Sequence, residues 1–196
     1  MLLDAGFALL EEEGPEALTI TAVSGRAGVA SGTVYRRFGD KEGLLAGLQA
    51  EFTAGFREEF GRRMSAPTRS GDASPRAVID VAVRALADTF RAHEKLLRVF
   101  VLLGMRDERM AETGARASYE GGALFRDLLW PHRAAFTASD PERAIDVTHR
   151  LVYAACMHRV LHGATMESPT ALGWDELTDE LSRSAALYLL GSLPAA

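Results

Sequence analysis

Apolar residues recur three and four positions apart along most of this chain, which is the period of a helix lying on a core. Leu2, Leu3, Gly6, Phe7 and Leu10 form one stripe, and Gly14-Pro15 ends it. Thr19 is placed to cap a short second helix that turns Ile20, Val23 and Ala27 inward before Gly28 breaks it. A third segment runs from about Ser31 to Phe38, with Val34 and Phe38 on one face. Gly39-Asp40 breaks the pattern again. Asp40 then caps a longer helix that carries Leu45, Leu48, Phe52, Phe56 and Phe60 on one stripe and reaches about Met64. Ser65–Ser74 reads as a flexible connection. Pro75 opens a helix over 75–93, and further helices are predicted over 94–104, 112–130, 140–163 and 174–191. Pro131 should end or kink one of them near Trp130, and 163–173 reads as a loop. No alternating strand pattern and no internal repeat is present, so the fold class is all-α.

Composition narrows the function classes. The chain has 196 residues, of which 47% are hydrophobic and 25% charged, which is near the globular average and argues against a disordered or fibrous protein. No window approaches the roughly 18 apolar residues of a membrane span, and no secretory leader is legible. A single cysteine, Cys156, excludes an internal disulfide framework and a multi-cysteine zinc site. The expected location is the cytoplasm, with no membrane partner. The net charge is −5, so any contact with DNA must come from a local basic patch rather than from an overall basic surface.

Residues 19–38, TITAVSGRAGVASGTVYRRF, supply such a patch. Two short helices joined by a glycine turn can place the second helix in a major groove while the first crosses the phosphate backbone. The outward face of the second helix would present Ser31, Thr33, Tyr35, Arg36 and Arg37, and Gly32 would leave room for close approach. Lys41, at the start of the next helix, could address a phosphate together with the helix N-terminus. Residues 24–41 hold Arg26, Arg36, Arg37 and Lys41 against Asp40, whereas residues 1–23 hold five acids and no cation.

The stretch LLDAGFALLEEEG…LTITAVSGRAGVASGTVYRRFGDKEGLL resembles the N-terminal domain of the TetR family of transcriptional regulators, most specifically in AGVASGTVYRRFGDKEGLL at 27–45. The resemblance implies a three-helix DNA-binding domain with a helix-turn-helix over 1–46 and a helical ligand-binding and dimerisation domain over 47–196. It implies that Thr19, Tyr35, Arg37 and Lys41 contact phosphates, and that Ser31, Gly32, Thr33 and Arg36 face base edges. Four departures stand out. Ala30 occupies the usual serine cap, which leaves Ser31 as the substitute cap. Ser24 replaces a small apolar residue, and Pro15 a common aromatic. The basic arm that often precedes the first helix is not in this sequence, which lowers the expected DNA affinity.

For the body the resemblance gives architecture only. Large adaptable side chains point to a mainly apolar effector pocket, with Phe100, Met105, Tyr119, Phe125, Trp130, Tyr153 and Met157 as candidate lining and Arg98 or His149 as polar groups. The bland reading of each of these residues is ordinary core. Leu151, Ala155, Val160, Leu177, Leu181, Ala185 and Tyr188 could form the apolar face of a homodimer. His158 and His162 stand four apart, a metal-compatible spacing, but HRVLH lacks the glutamate of a hydrolytic zinc helix, so no metal and no cofactor is expected. Cys156 reads as a buried, unreactive thiol. No nucleophile elbow or phosphate loop argues for an enzyme. The sequence is thus expected to be a repressor that holds a palindromic double-stranded DNA operator as a homodimer. A small, largely apolar effector would release it, with the helix after Asp40 carrying the shift. The competing reading is a helical small-molecule-binding protein with little DNA affinity.

Overall fold

A computed structural model describes residues 1–65, 73–165 and 168–191. Among the described residues the regular structure is helical: α1 (Leu2–Glu12), α2 (Ile20–Ala27), α3 (Ser31–Phe38), α4 (Lys41–Ser65), α5 (Pro75–Ala92), α6 (Glu94–Gly104), α7 (Glu108–Leu129), a 3-10 turn (Trp130–Ala135), α8 (Pro141–His162) and α9 (Trp174–Leu190). The expected connection over Ser65–Ser74 falls mostly on 66–72, outside the described residues. No described helix is long and apolar enough to cross a membrane.

The chain divides into two compact units. The first comprises Met1–Phe56 and Glu94–Ala117, the second Arg57–His93 and Ser118–Ala196. The helix-turn-helix region expected over 1–46 lies inside the first unit, which also takes in α6 and the front of α7.

In the first unit Leu2, Leu9, Leu10, Leu18, Ile20, Val23, Val34, Leu44 and Leu48 are buried around α1 to α4, and Leu96, Leu97 and Phe100 bring α6 into the same core. The stripe on α4 runs Leu44, Leu48 and Phe52. Leu45 and Phe56 are only half-buried, so the expected phase is corrected by one residue at the start. The register follows from the tight entry into α4. A Cβ on Gly43 would lie 2.0 Å from the Phe38 carbonyl oxygen, so only a glycine lets the end of α3 sit against the first turn of α4. Asp40 caps that turn by accepting from the Gly43 amide at 2.7 Å. Gln49 Nε2 donates to the Met110 carbonyl at 2.8 Å and satisfies a buried amide.

In the second unit α5 is the central element, packed on α8 and α9. Val78, Ile79, Ala82, Val83, Leu86, Ala87 and Phe90 of α5 are buried, as are Phe125, Leu129, Ile145, Val152, Cys156, Ala186 and Leu189. Polar groups also join α5 to α9 along its edge. Arg91 donates to Asp175 at 2.8 Å, Arg84 pairs with Asp179, and the Ser182 hydroxyl donates to Asp80. α7 starts at Glu108, four residues before the expected position. The Asp107 carboxylate accepts from the amides of Arg109 and Met110 at 2.9 and 3.2 Å and caps the helix there. Pro131 does end the helix, and the chain continues as a 3-10 turn.

Candidate nucleic-acid interface

The geometry of α2 and α3 follows from their ends. Thr19 is extended, and its hydroxyl oxygen accepts from the Ala22 amide at 3.0 Å. That bond uses a lone pair and leaves the Thr19 proton free to donate to an outside oxygen. Gly28 closes α2 in the left-handed conformation, φ 66°, which a side chain resists. The chain then turns into α3, where Val34 is fully buried and is the single core residue of the helix. The rest of the helix is exposed or half-buried, with Phe38 half-buried at its end. Gly32, Tyr35, Arg36 and Arg37 are exposed, Tyr35 to 55%, and Ser31, Thr33 and Lys41 are half-buried. The helix thus brings Ser31, Gly32, Thr33, Tyr35, Arg36 and Arg37 onto one short element, with Thr19 and Lys41 at helix starts in the same unit.

Two details differ from expectation. Ala30 holds the cap position of α3 and provides no side-chain bond, and Ser31 does not substitute for it. As the first helical residue, Ser31 instead places its hydroxyl 2.9 Å from the Ser24 hydroxyl, which donates to the Thr21 carbonyl at 3.0 Å. Charge is also redistributed. Arg26 donates to Glu12 at 2.6 Å, so part of the cationic excess read from residues 24–41 is cancelled by an acid from α1. Among the described residues Arg36 and Lys41 have no ion-pair partner, and the Arg37 guanidinium lies 5.2 Å from the Phe38 ring centre.

Residues 2–48 match the family model for bacterial regulatory proteins of the tetR family. A curated relative, the HTH-type transcriptional regulator BetI of Escherichia coli, is 32% identical over 80 residues, 40% of this chain. The aligned stretch spans 41% of that relative's length. The likeness to the TetR family in sequence is thus carried by the N-terminal helices. Solved structures agree over nearly the whole length. A protein of Mesorhizobium loti assigned to the TetR family superposes with a TM-score of 0.75 at 15% identity, covering 95% of this chain and 92% of that one. The flavonoid-responsive regulator FrrA superposes at 0.67 and 22% identity, covering 100% and 96%. At these identities the likeness shows the fold.

The seven candidate pocket residues divide plainly. Phe125 and Tyr153 come together around His149, whose ring lies 5.3 Å from Phe125 and 5.9 Å from Tyr153. Tyr153 also meets Phe90 edge-on at 5.2 Å and accepts a hydrogen bond from the Ser118 hydroxyl at 2.7 Å. Met157 is half-buried on α8. The other four do not join this cluster. Phe100 is buried in the first unit, 5.0 Å from Phe52. Met105 and Tyr119 are exposed to 75% and 79%, and Trp130 stacks under Arg133 on the 3-10 turn. Burial lowers the His149 pKa below its usual 6.5, with Asp146 opposing and Arg150 adding to the shift.

An open groove of about 560 Å³ lies elsewhere in the second unit, lined by Ala154, Ala155, His158, Arg159, Leu172 and Leu177 among others. None of the seven candidates lines it. The signal that could have found it is the Gly163–Gly173 stretch joining α8 to α9, whose Ala164 and Leu172 form one wall. Of the expected dimer face, Val160 and Ala185 are spent in the core, Leu151 and Tyr188 are exposed, and Ala155, Leu177 and Leu181 are half-buried. The His158 and His162 rings lie 4.9 Å apart and tilted by 48°, and no group of three potential metal ligands occurs among the described residues. Burial pushes the Cys156 thiol up to about 12, as an inert core cysteine requires.

Proposed function

We propose that this chain is a transcriptional repressor whose homodimer holds a palindromic double-stranded operator and lets go when a small, largely apolar effector binds its body. The observation that carries the reading is α3. It commits Val34 alone to the core and leaves Tyr35, Arg36 and Arg37 exposed on a helix fixed by a glycine turn. A helix serving only as packing would not be built this way. Arg36 and Thr33 would read base edges, and Thr19, Tyr35, Arg37 and Lys41 would hold phosphates. Phosphate contacts make such binding salt-dependent. Two-fold pairing would place a second α3 on the next half-site.

The effector's apolar character is supported by the aromatic setting of Phe90, Phe125, His149 and Tyr153, and by FrrA, whose name makes it responsive to flavonoids. The effector must bind two dimer geometries unequally, or nothing shifts. A coupling of about 1–3 kcal/mol changes DNA affinity roughly 5–150-fold.

The test is a gel shift on a duplex selected from random sequence at stated salt. Tyr35→Ala and Arg36→Ala should each weaken binding while leaving the helical content intact; unchanged affinity for both overturns the assigned interface. Sedimentation should give a dimer, and a monomer at micromolar concentration counts against the palindromic mode.

A further inference from the structure

Within the DNA-binding reading, on which this rests, we propose that Ser31 reads an exocyclic amino group, cytosine N4 or adenine N6, in the major groove. Ser24 sets that preference from behind by taking the Ser31 proton.

Each hydroxyl has one proton to place. Ser24 is buried at 4% exposure, and its oxygen lies 3.0 Å from the Thr21 carbonyl and 2.9 Å from the Ser31 oxygen. If Ser24 donates to Thr21, Ser31 can donate to Ser24, and two hydrogen bonds form. If Ser24 donates to Ser31 instead, only one forms, and the lone pairs of a buried hydroxyl go unused. The arrangement with two bonds is favoured because a buried polar group gains most from full pairing. In it the Ser31 proton points inward, and what Ser31 can offer an outside partner is lone pairs only.

That changes what the residue can recognise. Serine ordinarily speaks to either donors or acceptors on base edges. With its proton held by Ser24, Ser31 is repelled by guanine N7 and O6, by thymine O4 and by phosphate oxygens, all of which are acceptors. The donors left in the major groove are the cytosine and adenine amino groups. Ser31 is also the first residue of α3, and the N-terminal residues of the second helix are the ones that reach base edges. Thr21 and Ser24 lie on α2, so the preference is written into a helix that does not itself enter the groove.

The experiment measures affinities of the full chain, Ser24→Ala and Ser31→Ala for a duplex selected from random sequence, and for versions in which each base pair of a half-site is reversed in turn. Reversal moves the amino group to the other strand. The natural chain should lose roughly five- to tenfold at one position of each half-site, where cytosine or adenine stands on the near strand. Ser31→Ala should lose that discrimination. Ser24→Ala removes a buried hydroxyl without enlarging the side chain and frees the Ser31 proton. It should keep affinity for the selected duplex while the penalty for reversal falls to within about twofold. If Ser24→Ala discriminates as strongly as the natural chain, the proton relay is wrong and the DNA-binding reading stands. If the natural chain selects no sequence at all, the DNA-binding reading falls and this inference with it.

Discussion

α3 and α5 spend their residues in opposite ways. α3 has eight residues and buries one of them, Val34; α5 has eighteen and buries nine. The first is held from its ends, by a left-handed glycine before it and by the close seat that Gly43 gives Phe38. The second is held along its length, by side-chain volume against α8 and α9. A helix held at its ends keeps its faces free for a partner, whereas a helix held by its face has nothing left to offer. That contrast is what singles out α3 as the proposed recognition element.

The contrast breaks if the two regions respond alike to removal of bulk and to closing of backbone space. Phe125 is fully buried in the second unit, so Phe125→Ala should cost about 3–5 kcal/mol. Hydrogen exchange should show lost protection in the second unit, and a cost under about 1 kcal/mol would mean that bulk does not hold it. In the first unit the sensitive site is a glycine. Gly43→Ala gains about 1 kcal/mol of helix propensity, yet its methyl would meet the Phe38 carbonyl at 2.0 Å. A net loss of about 2–3 kcal/mol is expected, as for other overpacked sites, with weakened operator binding in the gel shift. Gly55 on the same helix has open space around its Cβ position. The same change there should stabilise by up to about 1 kcal/mol, so denaturation of the two variants should give opposite signs.

Legibility divides along the same line. The ends of α2 and α3 could be read because their signals are local: Thr19 caps through its own hydroxyl, and Gly28 and Gly39 have positive φ. Thr19→Ala tests this directly. It strips the partner of the Ala22 amide and should cost about 1 kcal/mol of stability in a urea titration. The start of α7 was misplaced because Asp107 caps ahead of the apolar stripe on which the expectation rested. The pocket was the least legible part, since helical periodicity says that a residue faces something but not what. Phe100 and Phe125 carry the same signal, yet one packs on Phe52 and the other beside His149. Met105 and Tyr119 face out altogether. Partners distant in sequence, such as Glu12 for Arg26, leave no local trace at all.

The smallest expected effect separates the two regions by acidity. All five histidines, His93, His132, His149, His158 and His162, belong to the second unit. The pKa of His149 is lowered, chiefly by burial. A depressed folded pKa means that the unfolded chain takes up the proton first, so this contribution to stability is complete above the unfolded value of 6.5 and is lost as the pH falls through and below it. At pH 6.5 the unfolded imidazole is half protonated, which costs the fold at most about 0.4 kcal/mol, and the slope cannot exceed about 1.4 kcal/mol per pH unit below that. His149→Phe keeps a ring between Phe125 and Tyr153 and has no proton to bind. The difference in unfolding free energy between the natural chain and this variant, measured from pH 8 to pH 5.5, should be flat at first and then move against the natural chain. A difference that stays level over the whole range would mean that the imidazole is as well hydrated in the fold as out of it. The second unit would then have lost the dry aromatic setting that distinguishes it from the solvent-facing α3.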